Sequence, residues 1–398
     1  MSAKDHVANS ADTIQGFSRD GLAEFDAQFH KLVDDGKLAN IVTLIARRGE
    51  IIHCDAYGVK DISGPSPTPV KTDSIYRIAS MLKPIMGAAM MILWDEGKWA
   101  LEDPVSKFIP EFTELKVKIE RDDGETELVP QATPMTMKHL MSHAAGFRGR
   151  GEYTDAHDLR KGDLQDMINI LATLPLEFQP GTKWRYGPCV DIQGYIIEKV
   201  SGQPLDAFLA ERLFTPMGMV DTGFVLPASE IYRLVSTHMD DGTGKLASVP
   251  LEGTYNTVRP KFIGGGMAIL STVTDYFRFS QMLLNGGEFE GKRYLKTSTV
   301  KLMHTSVLEP GVHVELGSHV IDGLGFGLGV AIMEKQIRAM GSQKIGTYFW
   351  GGLYGTWFWI DPVYDVVAIG FINELDWSKR LPYLRQICAK WLYDALNE

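Results

Sequence analysis

The sequence predicts an α/β (α+β) fold in which strands from both ends of the chain share one sheet. Three observations lead to this prediction. Residues 41–46 and 50–56 have the β-branched composition of two strands joined by a short turn that contains glycine. Residues 356–360 and 366–372 repeat this strand–turn–strand pattern near the other end of the chain. Residues 80–255 are richer in helical spacing and loop signals, which indicates a helical insertion between two halves of a sheet domain.

Helices are predicted at both ends of this sheet domain. Before the first strand, apolar residues recur at helical spacing: Leu22, Phe25, Phe29 and Leu32. After the last strand, residues 380–396 predict a closing helix. We therefore expect residues 18–79 and 256–398 to form the α/β sheet domain, and residues 80–255 to form a mainly helical domain.

Composition and charge exclude several classes of protein. The 398 residues are 44% hydrophobic and 23% charged, which is typical of a globular protein and not of a disordered chain or a coiled coil. Forty Lys and Arg against 50 Asp and Glu give a net charge of −10, which attracts no polyanion. Uncharged stretches fall short of the ~18 apolar residues of a membrane span. We expect neither a nucleic-acid partner nor a membrane partner.

The cysteines indicate the compartment. Cys54, Cys189 and Cys388 are odd in number and widely spaced, which fits neither a disulfide framework nor a metal-binding knuckle. The first residues carry charges where a secretory signal would have its apolar segment. We therefore expect a cytoplasmic protein.

Several common site motifs are missing or weak. The sequence contains no Gly-x-Ser-x-Gly, His-Glu-x-x-His or Walker motif. A glycine ladder spans residues 323–329, but its strict alternation favours a closely packed strand over a phosphate loop. His139 and His143 could share a helix face, yet no third ligand is evident, so a structural pair is favoured over a metal site. We predict no cofactor and no metal.

A Ser-x-x-Lys motif occurs twice, at Ser80 and at Ser298. The two copies differ in context. Around Ser80 the chain is almost uncharged over residues 84–94, which predicts a helix that is buried on nearly all sides. Lys83 directly precedes this uncharged stretch as an isolated charge, which favours a functional role over that of a lysine whose amine only reaches solvent.

Pro84 fixes the geometry of the first copy. Proline is tolerated in the first turn of a helix, where its missing N–H costs no hydrogen bond, so Ser80 lies at about the helix start. Residues three apart share a face, which lets the Lys83 amine approach the Ser80 hydroxyl. Burial disfavours the charged form of lysine, so Lys83 is a usable general base near neutral pH. The spacing leaves two alternatives: a nucleophilic Ser80 or a plain helix start.

Two further segments are weaker candidates by themselves. Tyr186 lies in a turn-rich segment before an amphipathic stretch, and its phenol could transfer a proton or simply cap the edge of the core. Residues 348–357 alternate aromatic side chains with adjacent glycines, which permits close approach of a ligand or only marks an apolar strand with a bulge.

Taken together, these motifs resemble the serine β-lactamase and penicillin-binding-protein superfamily. They are most similar to its family VIII carboxylesterases, which are related to class C β-lactamases. The resemblance runs from about residue 20 to the end of the chain and also includes residues 140–146, 264–276 and 284–287.

This resemblance implies an antiparallel sheet flanked by helices, a helical second domain, and an active site between them. It implies that Ser80 is the nucleophile, with Lys83 and Tyr186 as the proton-transfer pair. The backbone N–H groups of Ser80 and Leu353 would form the oxyanion hole. Residues expected to bind the substrate are Trp350, Gly351, Gly352, Tyr348, Phe147 and Trp184, to which Tyr153 adds a further aromatic candidate.

Two departures from the β-lactamase pattern bear on the substrate. Related β-lactamases carry an Asn two positions after the tyrosine, where this chain has Pro188, and a Lys-Thr-Gly motif where it has Trp350-Gly351-Gly352. Both polar groups that would hold a β-lactam are therefore missing. The resemblance implies a serine hydrolase that cleaves carboxylic esters.

Other functions are compatible with the same residues. An acyltransferase would use the same acyl-enzyme, an amidase or weak β-lactamase would attack a different carbonyl, and a binding module would keep the fold without catalysis. We expect a small-molecule ester substrate, and either a monomer or a homodimer.

Overall fold

We describe a computed structural model of the chain. It describes residues 12–63, 67–149, 158–249, 257–266, 269–316, 319–380 and 384–397. Over these residues the helices are α1 Arg19–Asp34, α2 Leu82–Asp95, α3 Met137–Met141, α4 Leu164–Leu171, α5 Cys189–Ser201, α6 Leu205–Leu209, α7 Thr215–Met217, α8 Val273–Leu284, α9 Thr297–Met303, α10 Trp377–Arg380 and α11 Leu384–Asp394.

The strands of the same part of the chain are mostly short. They are β1 Thr13–Ile14, β2 Phe17–Ser18, β3 Asn40–Arg47, β4 Glu50–Gly58, β5 Tyr76–Arg77, β6 Lys116–Glu120, β7 Thr126–Pro130, β8 Thr237–Asp240, β9 Leu246–Val249, β10 Leu270–Ser271, β11 Glu288–Phe289, β12 Lys292–Arg293, β13 Glu315–Leu316, β14 His319–Val320, β15 Leu324–Phe326, β16 Ala331–Met333, β17 Tyr348–Gly351, β18 Trp357–Asp361 and β19 Val366–Phe371.

One antiparallel sheet joins the two ends of the chain. Its seven strands follow the order β15-β16-β17-β18-β19-β3-β4, so β19 from the C-terminal half pairs directly with β3 from the N-terminal half. Every residue of β3, β18 and β19 is buried, because helices cover both faces of the sheet centre. The predicted α/β class and the shared sheet are therefore confirmed.

Successive residues of β18 show which helices cover each face. The Trp357 ring stacks on Phe29 of α1, and Phe29 also contacts Trp391 of α11. Phe358 points to the other face, where its ring lies 5.0 Å from that of Tyr276 in α8. Since side chains alternate along a strand, α1 and α11 cover one face and α8 the other.

The structure adds strands to the part of the chain that was predicted as mainly helical. The middle of the chain contains the hairpins β6–β7 and β8–β9 beside its helices. The hairpin β6–β7 forms because residues 116–130 alternate polar and apolar side chains around a turn at Gly124. The closing helix appears as α10 and α11, and residues 381–383 between them lie outside the described part. The predicted domain boundary at residue 255 also falls outside it.

No helix among the described residues is long and apolar enough to span a membrane.

Candidate active site

Ser80 lies in a tight turn that leads into α2. The turn is a 3₁₀ helix over Ala79–Met81, and Ala79 has a left-handed φ of 44°, which is costly for a residue with a Cβ atom. The Tyr276 hydroxyl donates a 2.9 Å hydrogen bond to the Met81 carbonyl and so ties the turn to α8. Ser80 is only half-buried. The 3₁₀ turn and the hydrogen bond at Met81 fix the position of its backbone.

Lys83 reaches the Ser80 hydroxyl from the first turn of α2. Its Nζ donates a hydrogen bond to Ser80 Oγ at 2.9 Å, although the side chain is 2% exposed. Residues 82–93 of α2 are all buried, as the apolar sequence predicts. Pro84 is the third residue of the helix, where the missing N–H costs no intrahelical bond. The local geometry predicted for this motif is therefore present.

Tyr186 completes the contacts of the Ser80 hydroxyl. Its Oη donates to Ser80 Oγ at 2.9 Å, and Lys83 Nζ lies 4.8 Å from the centre of the phenol ring. Tyr186 belongs to the loop that precedes α5, whereas Ser80 precedes α2. The fold thus brings Tyr186 to Ser80 and Lys83, although Tyr186 follows Ser80 by 106 positions along the chain.

Aromatic rings surround Tyr186 on several sides. Trp350 lies 5.4 Å away between ring centres and Trp184 lies 6.1 Å away in a stacked arrangement. Phe326 contacts both tryptophans, at 5.4 Å and 5.5 Å. Sequence reasoning missed Phe326, although it lies inside the glycine ladder that the alternating pattern marked as a strand. These rings fix the orientation of the phenol by packing.

His143 also lies beside Tyr186, which the sequence did not predict. Its ring centre lies 5.0 Å from that of Tyr186, and its carbonyl accepts the Arg185 N–H at 2.9 Å. The expectation that His139 and His143 share a helix face is wrong, because α3 ends at Met141 and His143 adopts a left-handed φ of 61°. His139 instead caps α3 by accepting the Thr136 N–H.

The charge state of His143 excludes it as the base that takes the Ser80 proton. Burial and the nearby charge of Lys83 lower the pKa of His143 to about 3. Neither ring nitrogen has a hydrogen-bond partner in the described part of the chain. The imidazole is therefore neutral at working pH and too weak a base to compete for the Ser80 proton, which leaves Lys83 and Tyr186.

Glycines allow two strands to approach the Ser80 turn closely. A Cβ atom on Gly352 would lie 2.4 Å from the Ile78 carbonyl oxygen, two residues before Ser80. A Cβ atom on Gly87 of α2 would lie 2.4 Å from the Leu328 carbonyl oxygen, within the glycine ladder. The ladder thus packs closely against α2, although only residues 324–326 of it form a strand, β15.

Comparison with known proteins agrees with this fold. The family description named "Beta-lactamase" matches residues 25–387 of the chain. The chain belongs to the beta-lactamase family. Protein Rv1367c of Mycobacterium tuberculosis is 33% identical over 359 residues, which cover 87% of this chain and 89% of that protein. Esterase EstB of Burkholderia gladioli is 30% identical over 366 residues, covering 84% of this chain and 86% of EstB.

A solved structure supports the beta-lactamase fold independently. EstCE1, described as a hydrolase with promiscuous acyltransferase activity, superposes with a TM-score of 0.76 at 24% identity. The match covers 95% of this chain and 99% of EstCE1. The predicted β-lactamase-like fold and superfamily resemblance are confirmed. The protein is accordingly an enzyme of the β-lactamase superfamily with esterases among its relatives.

The other residues predicted for this beta-lactamase-family site lie at different depths. Trp350 is close to Tyr186 but nearly buried, and Trp184 is fully buried behind it. Leu353 follows Gly352 and is 52% exposed. Gly351 is the last residue of β17. The close approach of Gly352 to the Ile78 carbonyl places the end of β17 near the Ser80 turn, and an oxyanion hole formed by the Ser80 and Leu353 N–H groups stays a prediction.

Tyr348 and Phe147 make their described ring contacts elsewhere. Tyr348 is buried and stacks on His304 at 4.7 Å, and Phe147 is buried against Phe112 at 5.6 Å. These contacts are those of core residues, so direct substrate contact by either ring stays a prediction. Tyr153 lies outside the described residues.

Replacing Gly352 by alanine tests whether close backbone packing positions Ser80. The new methyl group would clash with Ile78, and overpacking of this kind destabilises a protein by about 1–3 kcal/mol. We expect a lower free energy of unfolding and a fall in kcat, measured by urea denaturation and ester hydrolysis. Gly223→Ala is the matched control, because a Cβ atom there meets nothing within 4 Å. Equal kcat in both variants would contradict the positioning role.

Proposed function

We propose that this protein is a carboxylesterase that cleaves esters through a covalent acyl-enzyme on Ser80. The observation that carries the proposal is the pair of 2.9 Å hydrogen bonds from Lys83 Nζ and Tyr186 Oη to Ser80 Oγ. A serine hydroxyl needs an adjacent base to become a nucleophile, and two candidates lie within direct proton-transfer distance. The esterase named among the relatives supports the same reading.

In the proposed reaction, the Lys83–Tyr186 pair takes the proton of Ser80 as Oγ attacks the ester carbonyl. The negative charge that develops on the carbonyl oxygen is stabilised by the backbone N–H groups of Ser80 and Leu353. Collapse of the tetrahedral intermediate breaks the ester C–O bond. The alcohol leaves with the proton that the pair had taken, and Ser80 keeps the acyl group.

Water completes the proposed cycle. In this half, water is the nucleophile and Ser80 Oγ is the leaving group. The Lys83–Tyr186 pair removes a proton from water, the resulting nucleophile attacks the acyl carbonyl, and the proton returns to Ser80 Oγ as the carboxylic acid leaves. The contact between Lys83 Nζ and the Tyr186 ring keeps both groups near the one oxygen that exchanges protons in each half of the cycle.

Trp350 favours neutral, apolar esters as substrates. It occupies the position where related β-lactamases place a cation, and an indole offers an apolar surface and one N–H donor but no charge. A charge-assisted hydrogen bond contributes about 1.5–3 kcal/mol, so its loss lowers turnover of an anionic β-lactam by about one to two orders of magnitude.

The substrate assignment is tested by comparing two classes of chromogenic substrate. We expect nitrophenyl acetate and butanoate to give a kcat/KM at least about tenfold above that for a chromogenic cephalosporin. Mass spectrometry of the rapidly quenched protein should show an acyl adduct on the Ser80 peptide. Cephalosporin turnover as fast as ester turnover would replace the esterase by a β-lactamase, and the absence of any adduct or turnover would favour a binding module.

An acyltransferase is the second candidate, because EstCE1 is described as a hydrolase with promiscuous acyltransferase activity. Both enzymes would share every step up to the acyl-enzyme. Product analysis with and without added alcohols separates them: a new ester formed at the expense of the free acid indicates transfer, and the free acid alone indicates hydrolysis.

We also propose that the enzyme acts in the cytoplasm on a small-molecule ester. The three free cysteines, Cys54, Cys189 and Cys388, support a reducing compartment. Burial raises the pKa of the Cys54 thiol to about 11, which keeps it protonated and unreactive at neutral pH.

A further inference from the structure

A cavity outside the candidate active site lies beside strand β5. It has a volume of about 440 Å³ and is bounded by β5, by the hairpin β8–β9 and by residues 231–236. Its lining includes neither Ser80 nor Lys83 nor Tyr186. Arg77 and Asp61 supply its charged groups, and four apolar residues also line it: Ile231, Leu234, Val235 and Val249.

Arg77 enters this cavity as a nearly buried cation. It is 9% exposed, and its side chain donates one described hydrogen bond, from Nη1 to the Val235 carbonyl at 3.0 Å. None of the salt bridges in the described part of the chain involves it. Burial lowers the pKa of Arg77 only to about 10, so the guanidinium is charged at neutral pH. A buried charge without a counter-ion is costly, and most of its five N–H donors have no protein acceptor.

Asp61 does not supply the missing counter-ion. Its carboxylate accepts hydrogen bonds from the Ser63 N–H and Ser63 hydroxyl at 2.8 and 2.7 Å, and from the Ser236 and Ser248 hydroxyls at 2.7 and 2.5 Å. Three of these bonds go to Oδ1 and one goes to Oδ2, and together they hold the carboxylate at the serines. It forms no ion pair with Arg77 in the described part of the chain.

The unsatisfied groups of the cavity are thus donors. They are the Arg77 N–H groups that do not bond Val235; the Thr237 hydroxyl also has no hydrogen-bond partner in the described part of the chain, but it is fully buried and out of reach of a ligand in the cavity. A ligand that satisfies them must accept hydrogen bonds and carry negative charge, and a planar carboxylate matches the guanidinium fork with two parallel bonds. The apolar wall around Leu234 favours an attached hydrocarbon chain. We propose that this cavity binds a small carboxylate with a short apolar tail.

The rim of the cavity offers a test that leaves Arg77 intact. Ile231 lines the cavity and is 46% exposed, so Ile231→Asp should fold normally while it places a negative charge next to the ligand. Val220 is 84% exposed and does not line the cavity, so Val220→Asp adds the same charge elsewhere as a matched control. Both changes are made in the Ser80→Ala protein, which prevents acylation and makes the result independent of the proposed esterase activity.

Titration calorimetry then measures binding of sodium butanoate. We expect saturable binding that Val220→Asp leaves unchanged and that Ile231→Asp weakens about tenfold or more through charge repulsion. Arg77→Met should abolish it, with circular dichroism to confirm folding; if that variant does not fold, the Ile231 comparison decides. Butanamide, which has the same shape but no charge, should not bind.

Three results would overturn the proposal. They are no detectable binding of butanoate, equal affinity in Ile231→Asp and Val220→Asp, and equal binding of butanamide. If butanoate does not bind but inorganic phosphate does, the cavity is an anion site that does not recognise a carboxylate with an apolar tail.

Discussion

Replacing Ser80 by alanine should lower ester turnover by about a thousandfold or more. The alanine variant keeps the turn and the buried helix but has no oxygen to attack the carbonyl. Lys83 and Tyr186 would then have no hydroxyl to deprotonate between them. We expect this loss in kcat/KM for nitrophenyl butanoate, together with loss of covalent labelling by a serine-directed phosphonate.

The second Ser-x-x-Lys motif provides the control. Ser298 and Lys301 lie in α9, and both side chains are exposed, so nothing there excludes water or holds the hydroxyl against a base. Ser298→Ala should keep wild-type turnover and labelling. Urea denaturation should show that both variants remain folded. Equal loss of activity in two folded variants would refute the assignment of Ser80.

Local signals explain how much of the site could be predicted from the sequence. The position of Pro84 fixes the helix start, and the uncharged stretch after it predicts the burial of Lys83, which the structure shows at 2.9 Å from Ser80 Oγ. These features depend on neighbours within a few turns of chain. The terminal hairpins were predictable for the same reason, because strand alternation and turn glycines are local properties.

The remaining neighbours depend on contacts between distant segments. His143 and Phe326 contact the rings around Tyr186 only because the loop after α3 and strand β15 meet the loop before α5. The residues next to His143 and Phe326 in the sequence do not predict these contacts. The cavity at Arg77 is similar: the sequence shows an arginine three positions before Ser80, and only the fold shows that its charge is buried without a counter-ion.

Replacing Lys83 by arginine should lower ester turnover by about a hundredfold to ten-thousandfold, because arginine stays charged where the base must be neutral. Guanidinium holds its proton at any pH at which the protein is folded, so it cannot take the proton of Ser80. Its planar fork is also longer than the lysine chain, which disturbs the 2.9 Å contact with Ser80 Oγ. The measurement is kcat/KM for nitrophenyl butanoate together with the rate of phosphonate labelling, since both need a deprotonated serine.

Two further variants separate loss of the base from loss of the fold. Lys83→Met has nearly the shape of lysine and suits an apolar helix, so it should be at least as stable as wild type in urea denaturation and equally impaired in turnover. Lys301→Arg, in the exposed second motif, should behave as wild type in both measurements. If Lys83→Arg or a stable Lys83→Met variant retained wild-type turnover, Lys83 would not be the base, and the proton of Ser80 would have to pass to Tyr186 alone.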